Sequence, residues 1–202
     1  MKDILYSNSF ISSHAANFML TQARIRAMLA CSTPLAAAQI LQECGYELVD
    51  GLDDEIIDHE RTRAFKLFMD LCSDESLAAC VQAKHLFRTT AKKDDVSYQQ
   101  MEKALYQTLG EYTPRIKTQE AKNYFQAELD AFHKGQKLSD EFLYNLALEG
   151  KNNLETPGPL FHWYVLKQTE LKVVKTILMG KRFEFSRNVI IDNMRGLYER
   201  FK

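Results

Sequence analysis

Residues that interrupt helices are scarce in this chain, and their positions divide it into separate segments. It has only 8 Gly and 4 Pro in 202 residues, so long stretches contain nothing that would break a helix. Between the breaks, apolar residues recur every three or four positions, which is the period of one helix face. No convincing run alternates in the way that a strand requires. The pattern predicts an all-α fold of about eight or nine helices arranged as stacked helical bundles.

Capping residues predict where several of these helices begin and end. Thr33 before Pro34 is typical of an N-cap and a first helical residue, so a short helix is expected from Pro34 to about Gly45. Ser139 predicts a further start and Gly150 the matching end. These signals are local, because a cap needs only the neighbouring side chain and backbone.

Other boundaries follow from the apolar pattern together with a single capping residue. One helix face runs from about His14 to Cys31, which predicts an unbroken helix. Ser73 is the expected cap of a helix that fades by the charged run 92–95. A long helix is predicted from Leu160 to Met179, closed by Gly180, and a last one over 186–198.

The clearest irregular connection lies near the C-terminus. Residues 151–159 combine turn-forming and helix-breaking side chains, namely Asn152, Asn153, Pro157, Gly158 and Pro159. Such a cluster predicts a loop rather than a continued helix. We therefore expect a single all-α domain over residues 1–202, with a hinge at 151–159 before a C-terminal helical pair, 160–202.

Charge is balanced overall but unevenly distributed. The net charge is -1, which argues against a surface built to hold nucleic acid, because phosphate binding generally needs a basic excess. Residues 43–75 contain eleven acids and three bases, whereas residues 160–202 contain nine bases and four acids. The asymmetry indicates either solvated helix faces of opposite sign or two different docking surfaces.

No combination of residues predicts catalytic, metal or cofactor chemistry. The four cysteines, at positions 31, 44, 72 and 80, are not in CxxC pairs and are interpreted as small core residues. His59 and Glu60 lack the second His of a zinc-protease motif and are expected to form an exposed helical pair. A thiol nucleophile with a His base remains the alternative. We predict no catalytic residue, no metal site and no cofactor.

The beginning of the chain lacks the basic and apolar regions of a signal peptide. No window has the length and apolar content of a membrane span. The sequence therefore predicts a cytoplasmic protein.

Residues 160–198 resemble the C-terminal signature of the V-type ATPase central-stalk subunit, called C in bacteria and archaea and d in eukaryotes. The matching positions are Tyr164, Leu166, Lys167, Glu170, Gly180, Lys181 and Phe183. Further upstream, Tyr6 with the run Ala23–Met28 resembles the opening helix of that family. The triplet Cys44-Gly45-Tyr46 resembles the helix end and turn that follow it.

The resemblance implies a non-catalytic subunit with a helical, funnel-like body. Members of this family lie on the membrane proteolipid ring and grip the tip of the central rotor shaft, so they couple ATP hydrolysis to ion transport. The partners would be these ATPase subunits, with no nucleic acid and with membrane contact only through the complex. The alternatives are a stand-alone helical adaptor and a small helical enzyme with an unrecognised site.

The residues expected to contact a partner are mainly apolar or aromatic and lie near the two ends of the chain. Exposed side chains of this kind are typical of docking surfaces. Basic residues next to them would favour a partner of opposite charge. The predicted contact residues are Phe10, Ile11, Lys181, Arg182, Phe183 and Phe185.

Overall fold

The structure is a computed structural model in which nine helices are described and no strand occurs among the described residues. This confirms the prediction of an all-α fold with eight to nine helices. The described residues are 3–47, 53–91, 100, 103, 106–107, 110–111, 116–134, 138–194 and 196–197. The helices are α1 Ile4–Phe18, α2 Gln22–Ala30, α3 Pro34–Glu43, α4 Asp53–Leu71, α5 Glu75–Ala91, α6 Gln119–His133, α7 Asp140–Gly150, α8 Gly158–Arg182 and α9 Arg187–Asn193.

The described chain divides into two compact units, each built from two chain segments. Unit 1 comprises Met1–Ser9 and Phe65–His162, and unit 2 comprises Phe10–Ala64 and Trp163–Lys202. The prediction of a single domain stays a prediction. Each unit has its own buried residues and its own polar contacts, which are described separately.

Unit 1 contains the helices α5, α6 and α7. α6 packs against both of the others, and the rings of Tyr124 and Phe161 lie 5.2 Å apart between their centroids. Lys84 of α5 forms an ion pair with the buried Glu128 of α6. Apolar burial and one charge pair therefore hold these helices together.

Side chains of unit 1 hold the irregular connection 151–157 in place through hydrogen bonds. The side-chain amide nitrogen of Asn8 donates to the carbonyl oxygens of Leu154 and Thr156, each at 3.0 Å. The Thr156 hydroxyl donates to Glu120 at 2.6 Å. α8 then begins at Gly158, inside the stretch predicted as irregular. Any movement of this loop would have to break these hydrogen bonds.

Unit 2 is built around a large apolar cluster. α2 and α3 pack against each other, and side chains of α4, α8 and α9 join them in one core. Its most deeply buried members include Ile25, Met28, Leu41, Ile57 and Leu171. Fully burying each such side chain contributes about 1.5–3 kcal/mol.

α3 and α7 begin at the predicted caps, whereas α5 has a different cap. The side chain of Thr33 accepts a hydrogen bond from Ala36 N–H, and Ser139 accepts one from Phe142 N–H. At α5 the cap is Asp74 rather than Ser73, because the Asp74 carboxylate accepts from the backbone N–H groups of both Ser76 and Leu77. A carboxylate also interacts favourably with the positive end of the helix dipole, and it is preferred at this position for that reason.

The predicted helix from His14 to Cys31 is wrong as a continuous element. The chain is helical from Ile4 to Phe18, interrupted over 19–21, and helical again from Gln22. Thr21 caps α2 by accepting from Arg24 N–H. Apolar periodicity continues across the interruption because both helices turn apolar residues toward buried surroundings.

The last two helices also end at positions other than those predicted. Gly180 lies inside α8, which continues to Arg182, and α9 stops at Asn193 rather than near Tyr198. Gly196, at φ +80°, has a left-handed backbone that does not continue a helix. Gly180 does not end the helix; its missing side chain leaves room for Ile190 of α9.

Candidate functional site

A buried polar network lies in unit 2 and is centred on Glu170 of α8. The side chain of Glu170 is completely buried. One carboxylate oxygen accepts from the Tyr46 hydroxyl at 2.5 Å and from Lys167 Nζ at 2.6 Å. The other accepts from the backbone N–H of Leu20 at 2.6 Å. Leu20 belongs to the interruption between α1 and α2, so a distant carboxylate satisfies a donor that the broken helix leaves without a helical partner.

Lys167 joins this carboxylate to a second one. Its ammonium group lies 2.9 Å from Glu60 of α4 and 4.4 Å from the centre of the Tyr46 ring. Arg63, one turn along α4, is 3.2 Å from Glu60 and donates to the carbonyl oxygen of Gly45 at 2.8 Å. The two carboxylates and the two cations balance in charge, which is the condition under which buried ionic groups are tolerated.

Burial and neighbouring charges shift the pKa values of Lys167 and Tyr46 in this network. Burial alone would lower the pKa of Lys167, but the neighbouring carboxylates of Glu170 and Glu60 outweigh burial and raise it. Burial raises the pKa of Tyr46 well above its usual value, and Glu170 adds to the effect. At neutral pH the amine is therefore charged and the phenol remains a hydrogen-bond donor.

His14 of α1 lies within a set of aromatic rings in the same unit. Its ring centroid is 4.8 Å from that of Phe18, 5.9 Å from that of Phe10 and 5.8 Å from that of Trp163. Burial, followed by the positive charges of Lys167 and Arg63, lowers the pKa of His14. The imidazole is therefore neutral under conditions where an exposed His would begin to be protonated.

Sequence reasoning missed Tyr46, Glu60 and His14 as members of one cluster, and it expected Glu60 to be exposed. A signal for Glu60 was present, because it lies four residues after the buried Ile56 and four before the buried Ala64. That spacing places it on the buried face of α4. Glu60 is buried because Lys167 supplies its charge partner, and the partner is a long-range feature that periodicity does not reveal.

Gly180 and Lys181 connect α8 to two other helices of unit 2. A Cβ atom on Gly180 would lie 2.5 Å from Cγ1 of Ile190, so the absent side chain makes room for α9. The Lys181 ammonium donates to the carbonyl oxygens of Leu29 and Cys31. It thereby satisfies free carbonyls at the C-terminal end of α2 and complements the dipole of that helix.

An exposed turn follows directly after α8. Every residue from Arg182 to Val189 is exposed, and we call this segment the aromatic turn. Phe183 and Phe185 are 59% and 54% exposed, with ring centroids 6.2 Å apart. Val189 on α9 adds a third exposed apolar side chain.

The backbone of the aromatic turn is well defined by hydrogen bonds. Phe185 N–H donates to Gly180 O at 2.8 Å, and Glu184 N–H donates to Lys181 O at 3.2 Å. Glu184 has a left-handed backbone, with φ 56°. These features form a Schellman motif with Glu184 in the position usually taken by glycine. The motif therefore fixes the backbone of Phe183 and Phe185, which flank Glu184.

The residues predicted to contact a partner do not all lie on the surface. Phe10, Arg182, Phe183 and Phe185 are exposed, but Ile11 is only 1% exposed and belongs to the buried core. The surface position expected for Ile11 is therefore wrong, because on α1 it lies on the face opposite its exposed neighbours. Lys181 is partly buried, and its ammonium is directed to α2.

Burial controls the protonation of two cysteine thiols. Burial raises the pKa of both Cys44 and Cys80, so neither thiol supplies a thiolate near neutral pH. Within the described parts of the chain, no three His, Cys, Asp or Glu side chains come together as a set that could hold a metal ion. In the same residues, no helix has both the length and the apolar character needed to cross a bilayer.

Comparisons with known protein families, with curated proteins and with solved structures found no match to this chain.

Proposed function

We propose that the chain is a non-catalytic coupling subunit of a rotary V-type ATPase, linking the central rotor shaft to the membrane proteolipid ring for ATP-driven ion transport. The proposal begins from the resemblance of residues 160–198 to the C-terminal signature of the family. It places the protein in the cytoplasm, at the periphery of the membrane, with the other ATPase subunits as its partners.

The observation that carries the proposal is the position of the signature residues in unit 2. Lys167 and Glu170 join α8 to α4 and to the interruption between α1 and α2. Gly180 and Lys181 join it to α9 and α2. Four of the seven residues that resemble the family signature, Lys167, Glu170, Gly180 and Lys181, thus contact other helices or helix ends of this unit.

Connections of this kind suit a part that transmits force. Close-packed apolar side chains make a helical core hard to compress, so the core transmits strain. Charged hydrogen bonds depend on distance and angle, and a buried network of them further opposes relative movement of the helices. A coupling subunit needs this stiffness, whereas it needs no reactive pocket.

The proposal is tested by native purification with a tagged form of the chain. We expect the rotor-shaft and proteolipid-ring subunits to co-purify in amounts comparable to the tagged chain, measured by quantitative mass spectrometry. Deleting the gene should uncouple ATP hydrolysis from ion transport in membrane vesicles. Recovery of the chain without ATPase subunits, together with normal coupling in the deletion strain, would contradict the proposal and favour the stand-alone adaptor.

A further inference from the structure

The aromatic turn has a composition that the proposed function leaves unused. It contains two exposed bases, Arg182 and Arg187, and a single acid, Glu184. The two phenylalanines lie between these bases in the chain. Two apolar rings are therefore flanked by guanidinium groups in one short exposed segment.

We propose that the aromatic turn docks on the surface of an anionic lipid bilayer, with Phe183, Phe185 and Val189 entering the headgroup layer. The proposal goes beyond the coupling function and does not depend on it. It also differs from the sequence-based expectation that this chain reaches the membrane only through its complex.

The chemistry of a bilayer surface matches both kinds of side chain in the turn. Aromatic and apolar side chains gain by leaving water at the boundary between headgroups and acyl chains. Arg182 and Arg187 are both exposed, and anionic headgroups attract such bases when they are held close to the surface. The acid Glu184 opposes the attraction, but the bases outnumber it.

The geometry favours a lipid surface over a groove in a protein partner. Eight successive exposed residues form the turn, and the side chains of Phe183 and Phe185 are each more than half exposed. The Schellman hydrogen bonds and the contact of Ile190 with Gly180 fix the backbone on both sides. Little conformational entropy would be lost when such a preformed turn inserts its rings, which favours binding.

The first experiment measures sedimentation of the purified full chain with vesicles. We expect binding to phosphatidylcholine vesicles that contain phosphatidylserine, much weaker binding to phosphatidylcholine alone, and release at high salt. Phe183→Ser with Phe185→Ser should weaken binding at least tenfold. Arg182→Gln with Arg187→Gln should weaken it by roughly fivefold for each base removed.

Matched controls exist elsewhere in unit 2. Leu35 is more exposed than either phenylalanine, at 68%, and Arg26 is an exposed base on α2. Leu35→Ser and Arg26→Gln should bind the vesicles like the unchanged chain. All the substituted side chains are exposed, so circular dichroism should show unchanged folding in every variant.

A second measurement reports insertion directly. A Phe185→Trp variant should show a blue-shifted emission with anionic vesicles and should be quenched by brominated lipid, whereas Leu35→Trp should show neither change. The only natural tryptophan, Trp163, is buried and gives a constant background.

Equal binding by the aromatic variants and the unchanged chain would overturn the proposal. A lack of binding to anionic vesicles would also overturn it. If, in addition, the aromatic variants lost ATPase subunits in native purification, the turn would be assigned to a groove in a protein partner. The vesicle experiment contains no ATPase subunit, so its failure would leave the coupling function to its own test.

Discussion

Glu170 accepts three hydrogen bonds through two oxygens, from Tyr46, Lys167 and the backbone of Leu20. Each donor comes from a different part of unit 2. If the carboxylate is removed, Lys167 keeps only one of its two buried counter-ions and the Leu20 N–H loses its acceptor. Leaving buried polar groups without partners costs far more than the net gain of a hydrogen bond.

We therefore predict that Glu170→Gln lowers the free energy of unfolding by about 3–5 kcal/mol, the range for breaking a buried ion pair. Urea unfolding followed by the fluorescence of Trp163 measures this, because that residue lies on α8 in unit 2. The exposed Glu43→Gln should change the value by less than about 0.5 kcal/mol. Similar small losses in both variants would show that the network adds little stability.

Glu184 provides a second residue-scale test, because its left-handed backbone is unfavourable for any residue with a Cβ. Glu184→Gly should raise the free energy of unfolding by about 1 kcal/mol. Glu149→Gly, at an exposed helical position of α7, should instead lower it by about 0.5–1 kcal/mol. A decrease in both variants would contradict the strain assigned to Glu184.

At the scale of elements, the contact between α8 and α9 depends on one missing side chain. We predict that Gly180→Ala costs about 1–3 kcal/mol, because its methyl group would overlap Ile190. The double variant with Ile190→Ala should lose less than the sum of the two single losses, since the smaller side chain relieves the overlap. Additive losses in the double-mutant cycle would refute the close contact.

Gly110→Ala is the matched control for this contact, since Gly110 is helical and a Cβ there would meet nothing within 4 Å. Its stability should stay the same or rise, because alanine favours helices over glycine. The comparison separates the effect of overlap from that of helix propensity.

The loop before α8 is the other element-scale feature, and Asn8 fastens it through two backbone carbonyls. Asn8→Ala should increase amide hydrogen exchange over residues 151–157, because loss of these bonds favours local opening. Asn17→Ala removes a side-chain amide that donates to Ser13 O within α1, so exchange in the loop should not change. Unchanged exchange in Asn8→Ala would mean that other contacts hold the loop.

At the scale of the whole molecule, stability should depend on pH through one histidine in each unit. Burial is the main cause that lowers the pKa of His14 and of His162 below the ordinary 6.5. The folded chain then binds fewer protons than the unfolded chain once the pH falls below about 7. The free energy of unfolding should therefore decline as the pH drops through 6.5 toward the lowered values.

Urea titrations across this pH range measure the decline. His14→Gln and His162→Gln should each reduce the slope. A slope unaffected by these two variants would assign the acid sensitivity to carboxylates instead.

The helical character of the chain and most helix starts were determined by the sequence itself. Apolar spacing and caps such as Thr33 and Ser139 act over a few residues, so they can be interpreted without the fold. The same local information predicted a turn containing Phe183 and Phe185 after the long helix. Lys167 and Glu170 were singled out separately, as positions that resemble the family signature.

Only the tertiary structure decided what those residues contact. The interruption after α1 and the burial of Glu60 each depend on a partner far away in the chain, Glu170 and Lys167. The space at Gly180 depends on Ile190 of the next helix. The two charge contacts join residues that the chain separates by more than one helix. A local pattern contains no information about such partners, and for that physical reason the network appeared only in three dimensions.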